Sequence, residues 1–355
     1  MDIMELNVTQ DANGSRAIEG MEIPQNQAAI ITAYIISIVV AVGIPGNTLV
    51  ILAVLLSKRL QTVSNIFIVN LAVADLITCC ILPVKASVHW TNFYSTSLER
   101  RCKVELTIVH ICVGASLYSL SSIALNRFIG IVSSTQFYKN IYQAKFIVFK
   151  LIVIWMIPMS VSILPAFVFG VGQIGFDFHL HTCLPLKEHP TTHVLNDIII
   201  YVLYPLPLFI IVFCYTAILV KVLLHNRRLR KCGVIKHQGN VEDAATRPRK
   251  RKGAISQSIA LRFSPIEVQI TKNLFLVFLA YVLCLTPLAV CTMIPCHVDQ
   301  NYLRTLVLFN SVINPLIYGF KHPLFRQVFV SILRCRRIPE PSSFLKAISR
   351  SVSND

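Results

Sequence analysis

The residues of this chain able to do chemistry are few, and most of them interrupt apolar runs. Asp75 lies within Leu71-Ala72-Val73-Ala74-Asp75-Leu76, and Asn47 within Gly46-Asn47-Thr48-Leu49-Val50. Asn310, Ser311, Asn314 and Tyr318 fall in one short stretch around Pro315. Ser116 precedes Asn126-Arg127-Phe128 by about three helical turns, which puts its hydroxyl at mid-helix and the guanidinium at the helix end. A polar or ionisable group at membrane depth is costly and needs a partner, so each is a functional candidate. The chemistry on offer is hydrogen bonding and ion binding. Bond-making chemistry has no comparable constellation: His179-Leu180-His181 lacks supporting ligands at metal spacing, and neither paired acids nor a nucleophile with a base stand out. No enzyme is expected.

The apolar runs are the elements that must carry these groups. Of 355 residues, 54% are hydrophobic and 14% charged, a balance foreign to soluble domains of this length. Crossing a hydrocarbon core of about 30 Å takes roughly 20 helical residues. Seven runs reach that length, at 28–56, 64–89, 99–132, 146–169, 195–224, 267–294 and 300–320. A spanning backbone must satisfy its own hydrogen bonds, and these runs are far longer than barrel strands, so helices are expected. The expected fold is an all-α membrane protein: a seven-transmembrane helix bundle with a short amphipathic eighth helix near 322–334.

Basic residues fix the expected orientation. Lys58, Arg59, Lys139, Lys145, the cluster Arg247 to Lys252, and Arg334, Arg336 and Arg337 fall on one side, which the positive-inside rule makes cytosolic. The acidic segment 1–27 is then outside, with N-glycosylation sequons at Asn7 and Asn13. Residues 28–320 make up the transmembrane domain, and 321–355 the amphipathic helix and cytoplasmic tail. Residues 225–266 are basic, polar and without apolar periodicity, so a disordered third cytoplasmic loop is expected there. The formal charge of +16 is concentrated in cytosolic loops and tail. It reads as orientation and contact with anionic membrane lipids, and no nucleic-acid partner is expected.

One tag per helix gives the chain a recognisable face. The Gly46-Asn47 element, Asp75 in its run, Asn126-Arg127-Phe128, Trp155, Pro207 with Tyr215, Cys284-Leu285-Thr286-Pro287 and Asn314-Pro315-Leu316-Ile317-Tyr318 resemble the rhodopsin-like G-protein-coupled receptors in order and spacing. The Asn-Arg start of the third-helix tag and Asn65-Ile66-Phe67 further resemble melatonin receptors and some invertebrate orphan receptors. Two positions depart from the family pattern. Asn126 stands where an acid normally neighbours the arginine, and Leu285 where a tryptophan lies beneath the ligand pocket.

The resemblance implies a plasma-membrane receptor that turns extracellular ligand binding into heterotrimeric G-protein activation by outward movement of helix six, with Pro287 as its kink. It implies a switch made of Asn126, Arg127, Phe128, Tyr215, Asn314, Pro315 and Tyr318, and Glu267 as a latch partner for Arg127. A solvated acid favouring the helix dipole is the other reading of Glu267. Asp75, Ser116, Asn310, Ser311 and Asn314 match the family's sodium pocket, the only cofactor implied. A hydrogen-bonded network holding waters is the alternative.

Eleven cysteines are present, and Cys102 and Cys183 lie where an outer, oxidising compartment would reach them. They match the family's bridge to the loop after helix four. Cys291 and Cys296 form either a second local bridge or two free thiols. Cys335, bordered by arginines, suits palmitoylation. Pocket candidates are Lys85, Glu105, Val109, His110, Val113, Leu285 and Leu308. Val109 stands where amine receptors carry an aspartate, and Leu308 where opsins carry the retinal lysine, so neither a typical monoamine nor retinal is expected. Lys85 has three readings: contact with an acidic ligand, pairing with Glu105, or snorkelling outward. Arrestin and receptor kinase are further expected partners, at serines of the loop and tail. A signalling-silent receptor-like protein is the alternative within the family, and a transporter or channel the alternative outside it. Neither repeat symmetry nor a polar path supports the last.

Overall fold

The computed structural model describes residues 9–10, 16–17, 21–22, 27–90, 93–94, 96–177, 182–186, 189–231, 265–294 and 300–338. Seven helical spans are long and apolar enough to cross a membrane: Ile30–Leu56, Val63–Ala86, Glu99–Val132, Ala144–Val168, Thr192–Leu224, Gln269–Thr292 and Tyr302–Lys321. They are called the first to seventh spans below. Large apolar side chains such as Phe149, Phe209, Leu283 and Phe320 face outward from the bundle, as lipid-facing surfaces must. The third span is central, packing on the second, fourth, fifth and sixth.

Several local features have readable causes. Ring closure denies Pro315 an N–H, so the Ser311 carbonyl one turn earlier loses its helical donor. Asn47 supplies the replacement, donating from Nδ2 to Ser311 O at 2.8 Å while also donating to Gly43 O at 2.9 Å. Gly46 makes this approach feasible, because a Cβ there would lie 2.9 Å from Pro315 Cγ. The first and seventh spans are thus joined at the proline itself. Gly114 plays the same steric part between the third and fourth spans, against Pro158.

Proline also segments the spans. The fifth divides at Tyr204 into Thr192–Leu203 and Pro205–Lys231, because Pro205 has no N–H to donate to the Tyr201 carbonyl one turn earlier. Its second helix passes the expected loop start at 225 and continues to Lys231. Residues 232–264, and with them most of the expected third loop, lie outside the described residues. The seventh span breaks at Phe309 between Gln300–Leu308 and Asn310–Lys321. The fourth ends in a π-helical turn, Leu164–Val168.

Two elements add to the expected outline, and the expected amphipathic helix takes its place beside them. A short helix, Thr135–Ile141, follows the third span, capped by Ser134, which accepts from the Phe137 N–H at 3.3 Å. After the fourth span an antiparallel hairpin pairs Ile174–Asp177 with Thr182–Pro185. The amphipathic helix is Pro323–Leu333, burying Phe325, Val328 and Phe329. Its N-cap is His322, which accepts from the Phe325 N–H at 3.5 Å, and Phe325 stacks on Tyr318 at 5.4 Å.

Candidate functional site

At mid-membrane the second, third and seventh spans converge on one carboxylate. Asp75 is 1% exposed. Ser116 Oγ donates to its Oδ1 at 3.2 Å and Asn314 Nδ2 to its Oδ2 at 2.7 Å, and Ser311 is a third hydrogen-bonding neighbour. Asn310 and Asn314, four residues apart and so on one helical face, each keep a buried amide oxygen without a hydrogen-bond partner. Unused oxygen acceptors beside a lone buried carboxylate are the donor set that a small hard cation takes. Among the described residues no group of His, Cys, Asp and Glu is arranged to hold a transition metal.

A second polar string ties the bundle laterally. Trp155 Nε1 donates to Asn70 Oδ1 at 2.9 Å, and Asn70 Nδ2 donates to Ser119 Oγ at 2.8 Å. This joins the fourth, second and third spans. Higher up, Tyr281 donates to the Val113 carbonyl at 2.7 Å, fixing the sixth span on the third beneath the outer cavity. Tyr204 and Thr286 hydroxyls meet at 2.8 Å across the fifth and sixth spans.

The outer half encloses a cavity of about 170 Å³. Lys85, Val109, His110, Val113, Leu285 and Leu308, six of the seven residues expected there, line it. Glu105 does not; it is buried at 1% exposure with both carboxylate oxygens lacking a hydrogen-bond partner. Arg304 of the seventh span also lines the cavity. Cys102 and Cys183 form the expected disulfide, anchoring the hairpin to the third span. Cys291 is disulfide-bonded as well; Cys296 lies outside the described residues.

At the opposite end a cleft of about 520 Å³ is lined by Ser64, Asn126, Arg127, Tyr138, Ile270 and His322, among others. Asn126 sits in a neutral network. Ser64 donates to its Oδ1, and its Nδ2 donates to the Tyr138 hydroxyl at 3.0 Å. Arg127 is near enough to act electrostatically on both Tyr215 and His322. Burial and that guanidinium push the His322 imidazole down to about 4, so it is neutral at physiological pH. Tyr215 packs edge-on against Phe275 at 5.2 Å and stacks with Phe278 at 6.3 Å, so the fifth and sixth spans meet through aromatic rings there. Pro287 lies inside the sixth helix, and Phe128 is edge-on to Phe213 at 5.7 Å. The Glu267 side chain lies outside the described residues, as do Asn7 and Asn13; Cys335 is exposed with a free thiol.

Sequence reasoning misses three residues here. Lys221 donates to the Ile131 and Val132 carbonyls at 2.9 and 3.3 Å, capping the end of the third helix. Asn273 donates to the Lys321 carbonyl at 2.7 Å, tying the sixth span to the end of the seventh. Arg304 is the third, a charge near the outer end of an apolar run, where its inward position leaves no signal in the sequence.

Comparison with known proteins agrees with this geometry. A family model described as the seven-transmembrane receptor, rhodopsin family, matches residues 46–318. The mouse (Mus musculus) melatonin receptor type 1A is 26% identical over 340 residues, covering 92% of this chain and 86% of the relative. The human (Homo sapiens) neuropeptides B/W receptor type 2 is 27% identical over 349 residues, covering 94% of each. The crystal structure of squid rhodopsin superimposes with a TM-score of 0.71 at 21% identity, covering 90% of both chains. The family-model match takes in all the spans from Gly46 to Tyr318, and the chain therefore belongs to the rhodopsin family of G-protein-coupled receptors.

Proposed function

We propose that this multi-pass plasma-membrane receptor takes its ligand in the outer cavity and activates a heterotrimeric G protein at the cytosolic cleft, by outward movement of the sixth span. The observation that carries this reading is the cleft around Arg127, bordered by Ile270 of the sixth span and by His322. It is held narrow by a few weak contacts, of which Asn273 to Lys321 is one. Interhelical hydrogen bonds in membranes average about 0.6 kcal/mol, so such contacts bias two states without locking either. Ligand binding then needs only differential affinity for the open state.

Arg127, Tyr215 and Tyr318 are the residues that meet an incoming G-protein helix in this reading, with Asn126 and Phe128 setting the arginine and Pro287 and Pro315 providing the bends. Asp75, Ser116, Asn310, Ser311 and Asn314 would hold a sodium ion, whose charge would offset the buried carboxylate and favour the closed bundle. Basic loop and tail residues support an outside N-terminus, and exposed Cys335 beside arginines supports palmitoylation at the inner leaflet. Arrestin and a receptor kinase are proposed partners at the loop and tail serines.

The relatives carry names of different ligand kinds, a melatonin receptor and a neuropeptide receptor, so similarity at this level leaves the ligand to the cavity's own chemistry. The test is G-protein activation in cells across a panel of Gα subtypes, with Arg127→Ala alongside. Signal that disappears in the variant supports the reading. A chain that reaches the surface yet engages no subtype is instead a silent receptor.

A further inference from the structure

We infer that the ligand of this receptor is a small amphiphilic anion, a carboxylate or phosphate head on an apolar body, with the head taken between Lys85 and Arg304 and the body lying along Val109, Val113, Leu285 and Leu288. The inference rests on the receptor reading above and deepens it.

The cavity's charge is one-sided. Among the described residues its ionisable lining consists of Lys85, His110 and Arg304, with no acid. Nearly all the rest is aliphatic, with Asn196, Tyr204 and Thr292 as the neutral polar exceptions. Lys85 is 6% exposed although it lies within a spanning helix, and a buried cation is expensive unless an anion offsets it. Two acids act on this cluster from behind the wall. Glu105 influences Lys85 and Arg304 electrostatically, and Asp177 influences Arg304. Neither lines the cavity. Both Glu105 oxygens are without a hydrogen-bond partner, so its carboxylate and the Lys85 ammonium are not in hydrogen-bonding contact. Lys85 therefore faces the cavity with its charge offset only at a distance, which disfavours both the paired and the outward-snorkelling readings of that residue.

An anionic head placed there gains charge-assisted hydrogen bonds from an ammonium and a guanidinium, which are stronger than neutral ones. The aliphatic walls ask the rest of the molecule to be apolar. A cationic head meets two like charges, and a neutral head gives the Lys85 ammonium no charged partner within hydrogen-bonding reach. His110 beside them adds a donor or acceptor according to its tautomer.

The experiment uses the full-length receptor in lipid nanodiscs, read by thermal stabilisation against ligand concentration. The probes are decanoate, indole-3-acetate and decyl phosphate as anions, with decanol and decylamine as neutral and cationic counterparts. Stabilisation by at least one anion is expected, with decanol and decylamine inactive. Lys85→Gln and Arg304→Gln should each weaken it by about tenfold or more, as loss of a buried charge-assisted bond implies, while Lys85→Arg retains it. A carboxylate-only or phosphate-only response identifies the head group. Equal stabilisation by decanol or decylamine, an unchanged response in Lys85→Gln, or no response to any of the three anions overturns the inference. Because Lys85→Arg keeps the charge, its binding separates a lost site from a misfolded variant. G-protein exchange measured on the same nanodiscs reports on the receptor reading separately: exchange without anion binding sinks the ligand class alone, and anion binding without exchange sinks the signalling reading.

Discussion

Asn273, on the sixth span, donates its side-chain amide to the backbone carbonyl of Lys321, 2.7 Å away, at the end of the seventh span. The bond joins two helix faces at the rim of the cytosolic cleft and satisfies a carbonyl that has no helical donor of its own. Among the described residues no ion pair spans the same two helices, so in the proposed mechanism this bond favours the closed cleft. Asn273→Ala should raise basal G-protein exchange by about three- to twentyfold, taking about 0.6 to 1.7 kcal/mol for such a bond. Basal signal normalised to surface expression checks this, and an unchanged or lower value would show that the bond does not favour the closed state.

Asn126 is held by hydroxyls on both sides, Ser64 and Tyr138. Both hydroxyls can rotate to donate to a carboxylate, so Asn126→Asp fits the same space and places a negative charge next to Arg127. An ion pair at this partly solvated boundary is worth about 0 to 1 kcal/mol, so basal signalling should fall by up to about fivefold. A rise in basal signal in that variant would contradict the idea that the neutral Asn leaves Arg127 less restrained.

How legible the receptor is in its sequence depends on the range of the physics. The seven spans are read correctly because apolar length acts locally, and Asp75, Asn47 and Asn314 stand out because buried polarity is costly wherever it occurs. The Asn47 to Ser311 bond illustrates the limit: the orphan carbonyl follows from Pro315 alone, yet its donor comes from 264 residues away. Asn273 and Lys221 are ordinary polar residues near helix ends, and only the meeting of those ends with other helices gives them a task. The hairpin has too short a pattern to announce itself, since Ile174–Asp177 and Thr182–Pro185 are four residues each and acquire register through pairing and the Cys102 bridge. Arg304 is hidden for another reason. It lies close to the expected outer end of its run at 300, where charges are common, and its inward position is a matter of helix rotation.

Asp75 offers a direct test of ion binding. If its oxygens and the unused amide oxygens of Asn310 and Asn314 hold sodium, thermal stability of the purified receptor should be higher in sodium chloride than in choline chloride at equal ionic strength. Asp75→Asn should abolish that difference, because a neutral amide removes the charge that holds the ion. Identical melting in both salts for the unaltered receptor would favour a water-filled network.

Gly46 is a steric prediction. A Cβ there lies 2.9 Å from Pro315 Cγ and 3.1 Å from its Cβ, and a proline ring cannot rotate aside. Gly46→Val should push the first and seventh spans apart, stretch the Asn47 to Ser311 bond and destabilise the receptor by about 1 to 3 kcal/mol, the range for overpacking. Reduced surface expression together with a lower melting temperature is the expected outcome, and normal values for both would mean that the helices separate at no cost.

His322 ties stability to pH at the cytosolic end. It is 2% exposed, and its Nδ1 accepts the Phe325 N–H that begins the amphipathic helix. Burial first, and then Arg127, push its pKa from 6.5 to about 4. A base whose folded-state pKa is depressed binds fewer protons folded than unfolded between those values, so its contribution is intact above about pH 6.5 and declines as pH falls toward 4. The full loss below that is on the order of 3 kcal/mol at most, because protonation both removes the acceptor at the cap and adds a cation near Arg127. Hydrogen exchange of the Pro323–Leu333 amides should accelerate, after correction for intrinsic rates, as pH is lowered through this window. His322→Asn keeps a capping acceptor without a titrating group, and its corrected protection should stay level where that of the unaltered receptor declines. Parallel profiles for the two proteins would assign the pH dependence to another group.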